Sequence, residues 1–223
     1  MQNRTAGFTL IELLIVVVIL AIIAAMAIPN FLSARTAANE RAVIAALRSI
    51  ATAQIQCQSR AVVDADRDGR GEALGLDEMA GVRSLRTSGL LLSPACLPAS
   101  IGNVNAVGRS TGHGYLMSMH LPDATGIGLV ALPANDASIA ADHAESCWSC
   151  IAWPITKGRS GTATYFVNQG GEILMSRDAN YSGVSSVPPP GAALTGVAAN
   201  MIVGGTLAIN TNGADGNRWM MVR

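Results

Sequence analysis

The spacing of hydrophobic positions divides this chain into three parts. From Phe8 to Ile28 almost every residue is apolar, and the stretch from Leu13 to Ile28 contains no charged side chain. An apolar helix of about 20 residues has the length needed to cross the roughly 30 Å hydrocarbon core of a bilayer. The first part is therefore predicted to be a membrane-spanning helix.

A second helical pattern follows this run. Good helix formers predominate between Phe31 and Ser59. Inward positions recur at alternating steps of four and three residues, at Val43, Leu47, Ile50, Gln54 and Cys57. The opposite side carries Arg41, Arg48, Thr52 and Gln56. Pro29 lacks a backbone N–H, so it should kink or loosen the helix near the membrane exit. The pattern predicts one long helix, apolar all round in its first half and amphipathic in its second.

Beyond residue 60 the pattern changes to short strand-like runs separated by turn residues. The predicted strands are Gly114–His120, Ile127–Leu132, Cys150–Pro154, Thr162–Asn168, Glu172–Ser176 and Trp219–Val222. We also expect a short helix from about Leu76 to Leu85, and an extended surface connection from Val187 to Ala193. An antiparallel sheet packed on the amphipathic half of the long helix gives an α+β head domain.

Composition narrows the possible functions. A chain of 223 residues accommodates one medium domain and one appendage. Lys+Arg and Asp+Glu are both 15, and charged residues make up only 13% of the chain. This balance argues against binding nucleic acid through phosphate contacts. Neither a nucleophile motif nor a phosphate-binding loop is present in the sequence, so we expect no enzyme activity.

Glu12 is the one charged residue inside the first apolar run. An unpaired carboxylate there costs on the order of 2.5 kcal/mol or more. No cleavage site of the ordinary secretory type follows the run, so the apolar segment is expected to be retained. If the polar residues 1–7 were removed after Gly7, the new α-amine of Phe8 would lie one helical turn from Glu12, in the same chain or in a neighbour. The two opposite charges could then neutralise each other.

These residues resemble a known signal. The run from Gly7 to Ala24, followed by Ala27-Ile28-Pro29, closely resembles the class III signal and first helix of type IV pilins and type II secretion pseudopilins. The resemblance implies cleavage between Gly7 and Phe8 by a prepilin peptidase, usually with N-methylation of the new terminus. It also implies that Glu12 registers each incoming subunit, and pilins have a proline at the position of Pro29.

The same resemblance divides the chain into three segments and gives it partners. Residues 1–7 would be the leader, residues 8–29 the transmembrane or filament-core helix, and residues 30–223 a periplasmic or extracellular head. The protein would be a single-pass protein of the bacterial inner membrane that then enters a pilus or a periplasmic pseudopilus. Its partners would be copies of itself, other pilin-like subunits, the prepilin peptidase and the assembly machinery of the inner membrane.

A weaker resemblance concerns the head. Three stretches, residues 64–72, Ala152-Trp153-Pro154 and residues 161–173, follow the order of motifs in a group of large pilin-like proteins. It supports a pilin-type head and implies no chemistry.

The acidic stretch from residue 64 to residue 72 suggests that the protein binds calcium, and we predict no other cofactor. Asp64, Asp66, Asp68 and Gly69 reproduce the opening of an EF-hand loop, in which carboxylates on alternate residues converge on one ion. The twelfth position of the loop, normally glutamate, is Gly75, although Glu72 at the ninth position could contribute. The alternative is a solvated turn rich in Asp and Gly.

Four cysteines, Cys57, Cys96, Cys147 and Cys150, are an even number in a head expected outside the cytoplasm, where disulfides persist. Three connectivities are possible. Since Cys57 belongs to the inward stripe, we favour Cys57–Cys96 with Cys147–Cys150. The spacing of Cys147 and Cys150 also occurs in redox motifs, but a strand rather than a helix is predicted to follow it.

Three functions therefore compete. The first is a structural subunit of a type IV pilus or of a type II secretion-like pseudopilus. The second is a membrane-anchored binding module of the cell surface that does not polymerise. The third is a membrane-tethered thiol oxidoreductase.

Overall fold

A single helix dominates the structure, a computed structural model that describes residues 8–222. Helix α1 runs from Leu10 to Ser59, and its 50 residues correspond to a rod of about 75 Å. Pro29 lies inside it, and the helix continues on both sides of the proline. The prediction of one long helix is confirmed.

The second half of α1 is one wall of the head. All five positions of the predicted inward stripe are buried, and Arg41, Arg48, Thr52 and Gln56 are exposed. Gln54 is polar but suits this buried face, because its side-chain amide pairs with backbone. Its nitrogen donates to the carbonyl of Leu74 at 2.7 Å, and its oxygen accepts from the Leu74 N–H at 3.0 Å.

The head is built around an antiparallel sheet. In chain order its strands are β1 (Arg109–Gly112), β2 (Tyr115–Pro122), β3 (Gly128–Val130), β4 (Ser149–Pro154), β5 (Thr164–Asn168), β6 (Leu174–Ser176), β9 (Thr211–Asn212) and β10 (Arg218–Met221). They pair in the order β1-β2-β4-β5-β6-β10-β9, with β3 also paired to β2. Strands β7 (Leu194–Thr195) and β8 (Thr206–Leu207) form a separate pair.

Short helices fill the connections between these elements. They are α2 (Leu76–Met79), α3 (Ala99–Gly102), a 3₁₀ helix (Pro133–Ser138) and α4 (Ala141–Ala144). The helix predicted from Leu76 to Leu85 is therefore only one turn long. It ends because the chain turns at Gly81, whose φ is +61°, and the N–H groups of Val82 and Arg83 then both bond the carbonyl of Asp77.

All six predicted strands are present, within a few residues of their expected bounds. The predicted hairpin is β5–β6, in which Phe166 lies opposite Leu174. Four short strands, β1, β7, β8 and β9, were not predicted. The α+β class with a long helix on an antiparallel sheet is confirmed.

Two cores cover the two faces of the sheet. The larger lies between the sheet and α1, and contains Leu47, Ile50 and Met119. The smaller lies on the opposite face, where irregular chain around residues 192–208 covers Trp153 and Phe166. The prediction that Val187–Ala193 is a surface connection was wrong, because Pro188 to Ala193 are buried or half-buried. The second face of the sheet is apolar, and this segment shields it from water.

Candidate functional site

The first half of α1 presents an unpartnered apolar surface. Its large hydrophobic side chains are exposed along its whole length, from Leu10 at 81% to Phe31 at 68%. By length and composition it is the one described helix that could cross a membrane. Pro29 lies at the end of this surface, and its part in assembly stays a prediction. Such a large apolar surface is stable only in lipid or against other apolar helices.

Glu12 is bonded within its own chain. Its carboxylate oxygen Oε2 accepts hydrogen bonds from the backbone N–H of Thr9 at 2.9 Å and from the Thr9 hydroxyl at 2.6 Å. In return, the Glu12 N–H donates to the Thr9 hydroxyl oxygen at 3.3 Å. This reciprocal arrangement is a capping box, which satisfies free N–H groups at the start of a helix. Glu12 therefore has a local structural role before any neighbour is considered.

The processing site lies at the edge of the described chain. Gly7 is outside the described residues, whereas Phe8 is described and has a side chain that is 76% exposed. Cleavage between the two residues stays a prediction.

The acidic loop gathers three of its four predicted ligands. Carboxylate oxygens of Asp64, Asp66 and Asp68 lie within 4.8 Å of one another. At the Ca–O distances of about 2.3–2.6 Å that proteins use, one calcium ion could contact all three. A hydrogen bond from the Asp68 N–H lowers the pKa of Asp66, but desolvation and the neighbouring carboxylates outweigh it, so the pKa is raised. A cation would relieve this repulsion between like charges.

Glu72, the fourth predicted ligand, points elsewhere. Its Oε1 accepts from the N–H of Ala65 at 2.6 Å, and its Oε2 accepts from Arg86 at 2.8 Å. The side chain is almost fully buried, and it does not belong to the group of three aspartates. Glu72 therefore stabilises the loop through the backbone of Ala65. The calcium hypothesis then rests on the three aspartates alone.

Glu72 belongs to a buried charge network that the sequence did not predict. Arg86 bonds both Glu72 and Glu78 at 2.8 Å, and Arg83 contacts Asp77 at 2.7 Å and Asp136 at 2.6 Å. Desolvation raises the pKa of Asp77, although Arg83 partly opposes the rise. The network has four carboxylates for two guanidinium groups. It fixes residues 72–86 to the rest of the head, because a buried charge that loses its partner is costly.

The structure brings two of the four cysteines together. The sulfurs of Cys57 and Cys96 lie 3.2 Å apart, and all four cysteines are thiols. Cys150 is buried in β4, and burial raises the pKa of its thiol to about 12. The sulfur of Cys147 instead contacts Ser146 and Gln169. Both predicted disulfides stay predictions, and only the first has its two sulfurs in contact here.

The three histidines have separate environments. His113 is exposed in the turn between β1 and β2, and the ring nitrogen Nδ1 of His143 lies 3.0 Å from the carbonyl of Asp123. His120 is buried on β2, where its Nε2 lies 3.4 Å from the Ser118 hydroxyl and its Nδ1 has no hydrogen-bond partner among the described residues. Burial lowers the pKa of His120 to about 4, so the imidazole is neutral at physiological pH.

Comparisons with known proteins found similarity at the start of the chain, where α1 begins. Residues 2–28 match the family model of the prokaryotic N-terminal methylation motif. Over 46 residues the chain is 56% identical to the type IV wide pilus major component PilA4 of Thermus thermophilus. That match covers 21% of this chain and 35% of the relative, so the chain spans about a third of the length of the curated relative it matches. No solved structure matches the chain.

The family model therefore covers only the start of the chain, and the match to the relative extends over about a fifth of it. The methylation motif nevertheless includes the beginning of one long helix, which is apolar in its first half and packs on an antiparallel sheet in its second. In its N-terminal motif and in this fold, the chain is similar to type IV pilins.

Proposed function

We propose that this chain is a structural subunit of a type IV pilus or of a type II secretion-like pseudopilus. The observation that carries the proposal is the exposed apolar half of α1, which continues without a break into a folded head. One helix can therefore occupy the bilayer before assembly and a helical core after it. The subunit is structural and not catalytic.

Assembly follows from the same surface. In the membrane, lipid covers the apolar helix, and in a filament neighbouring helices do so. Contacts between different surfaces of successive subunits propagate without closing, which gives a helical polymer. The partners are further copies of this chain, other pilin-like subunits and the assembly machinery of the inner membrane.

Processing precedes assembly in this proposal. A prepilin peptidase cuts between Gly7 and Phe8, and the new terminus is methylated. The precursor spans the bacterial inner membrane once at residues 8–29, and residues 30–223 lie outside the cytoplasm. Mass spectrometry of the mature N-terminus in native membranes tests this step: we expect it to begin at Phe8, and Gly7→Trp should leave uncut precursor. A mature protein that begins at Met1 or near Ala27 would contradict it.

The capping box favours one competing function. Because Thr9 satisfies the Glu12 carboxylate within the chain, a membrane-anchored binding module could keep Glu12 for the helix start alone. In a filament, by contrast, the carboxylate would also meet the Phe8 amine of a neighbour. Removing one partner of a buried ion pair costs roughly 3–5 kcal/mol, whereas loss of a helix cap costs about 1 kcal/mol.

Three variants separate the cap from the charge. Glu12→Gln keeps a side chain that can complete a capping box but removes the charge. Thr9→Ala removes the cap and keeps the charge, and Glu12→Leu removes both functions of residue 12. Each variant is expressed without the parent protein, and its amount is measured in membranes and in sheared filaments or crosslinked pseudopilus complexes.

We expect Glu12→Gln and Glu12→Leu to be processed and to remain in the membrane, yet to be strongly depleted from the assembled fraction. Thr9→Ala should still be incorporated. Normal incorporation of Glu12→Gln would show that the charge is not needed and would favour the anchor. Depletion of Thr9→Ala together with normal Glu12→Gln would assign the effect to the helix cap.

The thiol oxidoreductase has no comparable support. Cys147 follows the C-terminal end of α4 and does not begin a helix, and Cys150 is buried in a strand. Both environments differ from the helix N-terminus that lowers the pKa of a redox thiol.

A further inference from the structure

Cys57 and Cys96 form a thiol pair that joins the long helix to a loop of the head. Their sulfurs are 3.2 Å apart, whereas a disulfide bond is about 2.05 Å long. A shift of about 1 Å would therefore suffice to close the bond. The loop is already held in place, because the N–H of Cys96 donates to the carbonyl of Met79 at 2.9 Å.

The two thiols differ in their access to solvent. Cys57 is 0% exposed, whereas Cys96 is half-buried and lines a shallow surface groove. The other groove residues are Arg48, Ser49, Thr52, Ala53 and Gln56, all on α1. An oxidant in solution can therefore approach Cys96 and not Cys57.

The raised pKa of Cys57 also indicates that Cys57 is not the first thiol to react. Desolvation raises its pKa to about 12, and the neighbouring Cys96 contributes to the rise. A thiol must lose its proton before it attacks a disulfide, so Cys57 is a poor first nucleophile. It is well placed for a second step, since its sulfur already contacts that of Cys96.

We propose that Cys57 and Cys96 are a disulfide site that closes in a fixed order, with Cys96 as the first thiol to react and Cys57 as the resolving thiol. The oxidant is a disulfide, of protein or of low molecular weight. The Cys96 thiolate attacks one of its sulfurs, forms a mixed disulfide and releases one thiolate. The Cys57 sulfur then attacks Cys96 and releases the second. The protons of Cys57 and Cys96 pass to the two released thiolates, so the oxidant leaves as two thiols.

Closing this bond would enclose in one ring the acidic loop and every member of the buried charge network except Asp136. The two cysteines are separated by 39 positions, and residues 64–86 lie between them. A crosslink of this kind restricts the unfolded chain, so the oxidised head should melt at a higher temperature. The inference rests on the proposed function in one respect, because a disulfide persists only if the head leaves the reducing cytoplasm.

The order of reaction can be tested on the purified full chain in detergent. The protein is reduced, freed of reductant, exposed to oxidised glutathione and quenched with an alkylating reagent, and its peptides are then mapped by mass spectrometry. We expect a Cys57–Cys96 crosslink in the parent. Cys57→Ala should accumulate glutathione on Cys96, whereas Cys96→Ala should leave Cys57 unmodified while the head is folded. Cys147→Ser is the matched control and should form the Cys57–Cys96 crosslink at the parent rate.

Absence of the crosslink in the oxidised parent would overturn the proposal. So would rapid glutathione addition to Cys57 in the folded Cys96→Ala variant, because it would show that the order is not set by access. The melting temperature gives a second readout: it should rise on oxidation of the parent and not of the double variant Cys57→Ala/Cys96→Ala. None of these measurements requires polymerisation, so a failed crosslink and a failed filament are distinguishable.

Discussion

Acid should destabilise the head through His120, whose imidazole is only 4% exposed on β2. Burial lowers its pKa from 6.5 to about 4, and no charged group contributes to the shift. As the pH falls, the unfolded chain therefore binds a proton before the folded chain does. Through this residue, the free energy of unfolding is therefore highest above about pH 6.5, and it decreases progressively as the pH falls to about 4.

The magnitude follows from the size of this shift. One pKa unit corresponds to about 1.4 kcal/mol, so the whole effect is on the order of 3 kcal/mol. Between pH 7 and pH 4.5 the folded head should lose about 2–3 kcal/mol through this one residue. Since carboxylates titrate in the same range, the quantity to measure is the difference between the parent and a variant without the buried imidazole.

The variant is His120→Leu, and the control is His113→Asn, which removes an exposed histidine. The full chain is unfolded with denaturant in detergent at several pH values. Tryptophan fluorescence reports on the head alone, because Trp148, Trp153 and Trp219 are all buried there and α1 contains no tryptophan. We expect the free energy of unfolding to fall less steeply with acid in His120→Leu than in the parent or in His113→Asn. Parallel profiles for the parent and His120→Leu would refute this reasoning.

Three further predictions concern the head. Calcium should raise the melting temperature of the parent and not that of Asp66→Ala, and equal parent melting curves with calcium and with chelator would end the calcium hypothesis. Arg86→Met should lower the free energy of unfolding by about 3–5 kcal/mol, because it strands buried carboxylates. The exposed Arg70→Met should change it by less than about 0.5 kcal/mol, and equal losses would contradict this account. Denaturant unfolding should show a loss of about 2–5 kcal/mol for Leu47→Ala and almost none for the exposed Ile55→Ala.

The sequence predicted those features that depend on local spacing. The buried stripe of α1 could be found from Val43 to Cys57 because a helix repeats every 3.6 residues, and β2 and β5 stood out between turn residues. The methylation motif was recognisable because its residues are consecutive. The same stripe placed Cys57 inside the head before its partner was known.

Features that depend on distant residues could not be predicted in this way. Arg83 contacts Asp136, which is 53 positions away, and no local pattern links the two. Glu72 had the right spacing for a calcium ligand, yet its nearness to Arg86 directs it inward. The Pro- and Ala-rich stretch from Pro188 to Ala193 has the composition of a loop, and its burial became visible only once the second apolar face of the sheet was known.

The sharing of α1 between the apolar segment and the head has a mechanical consequence. Val43, Leu47 and Ile50 belong both to the rod and to the core that the sheet closes. Nearer the apolar half, Asn39 donates to the carbonyl of Ser160 at 2.9 Å, and Glu40 accepts from the N–H of Thr162 at 2.8 Å. A pull along the rod would load these bonds and the core beneath them together, in shear, so the head cannot be peeled from the helix one contact at a time. Tension would therefore reach the head as a whole, with no hinge between rod and sheet to absorb it.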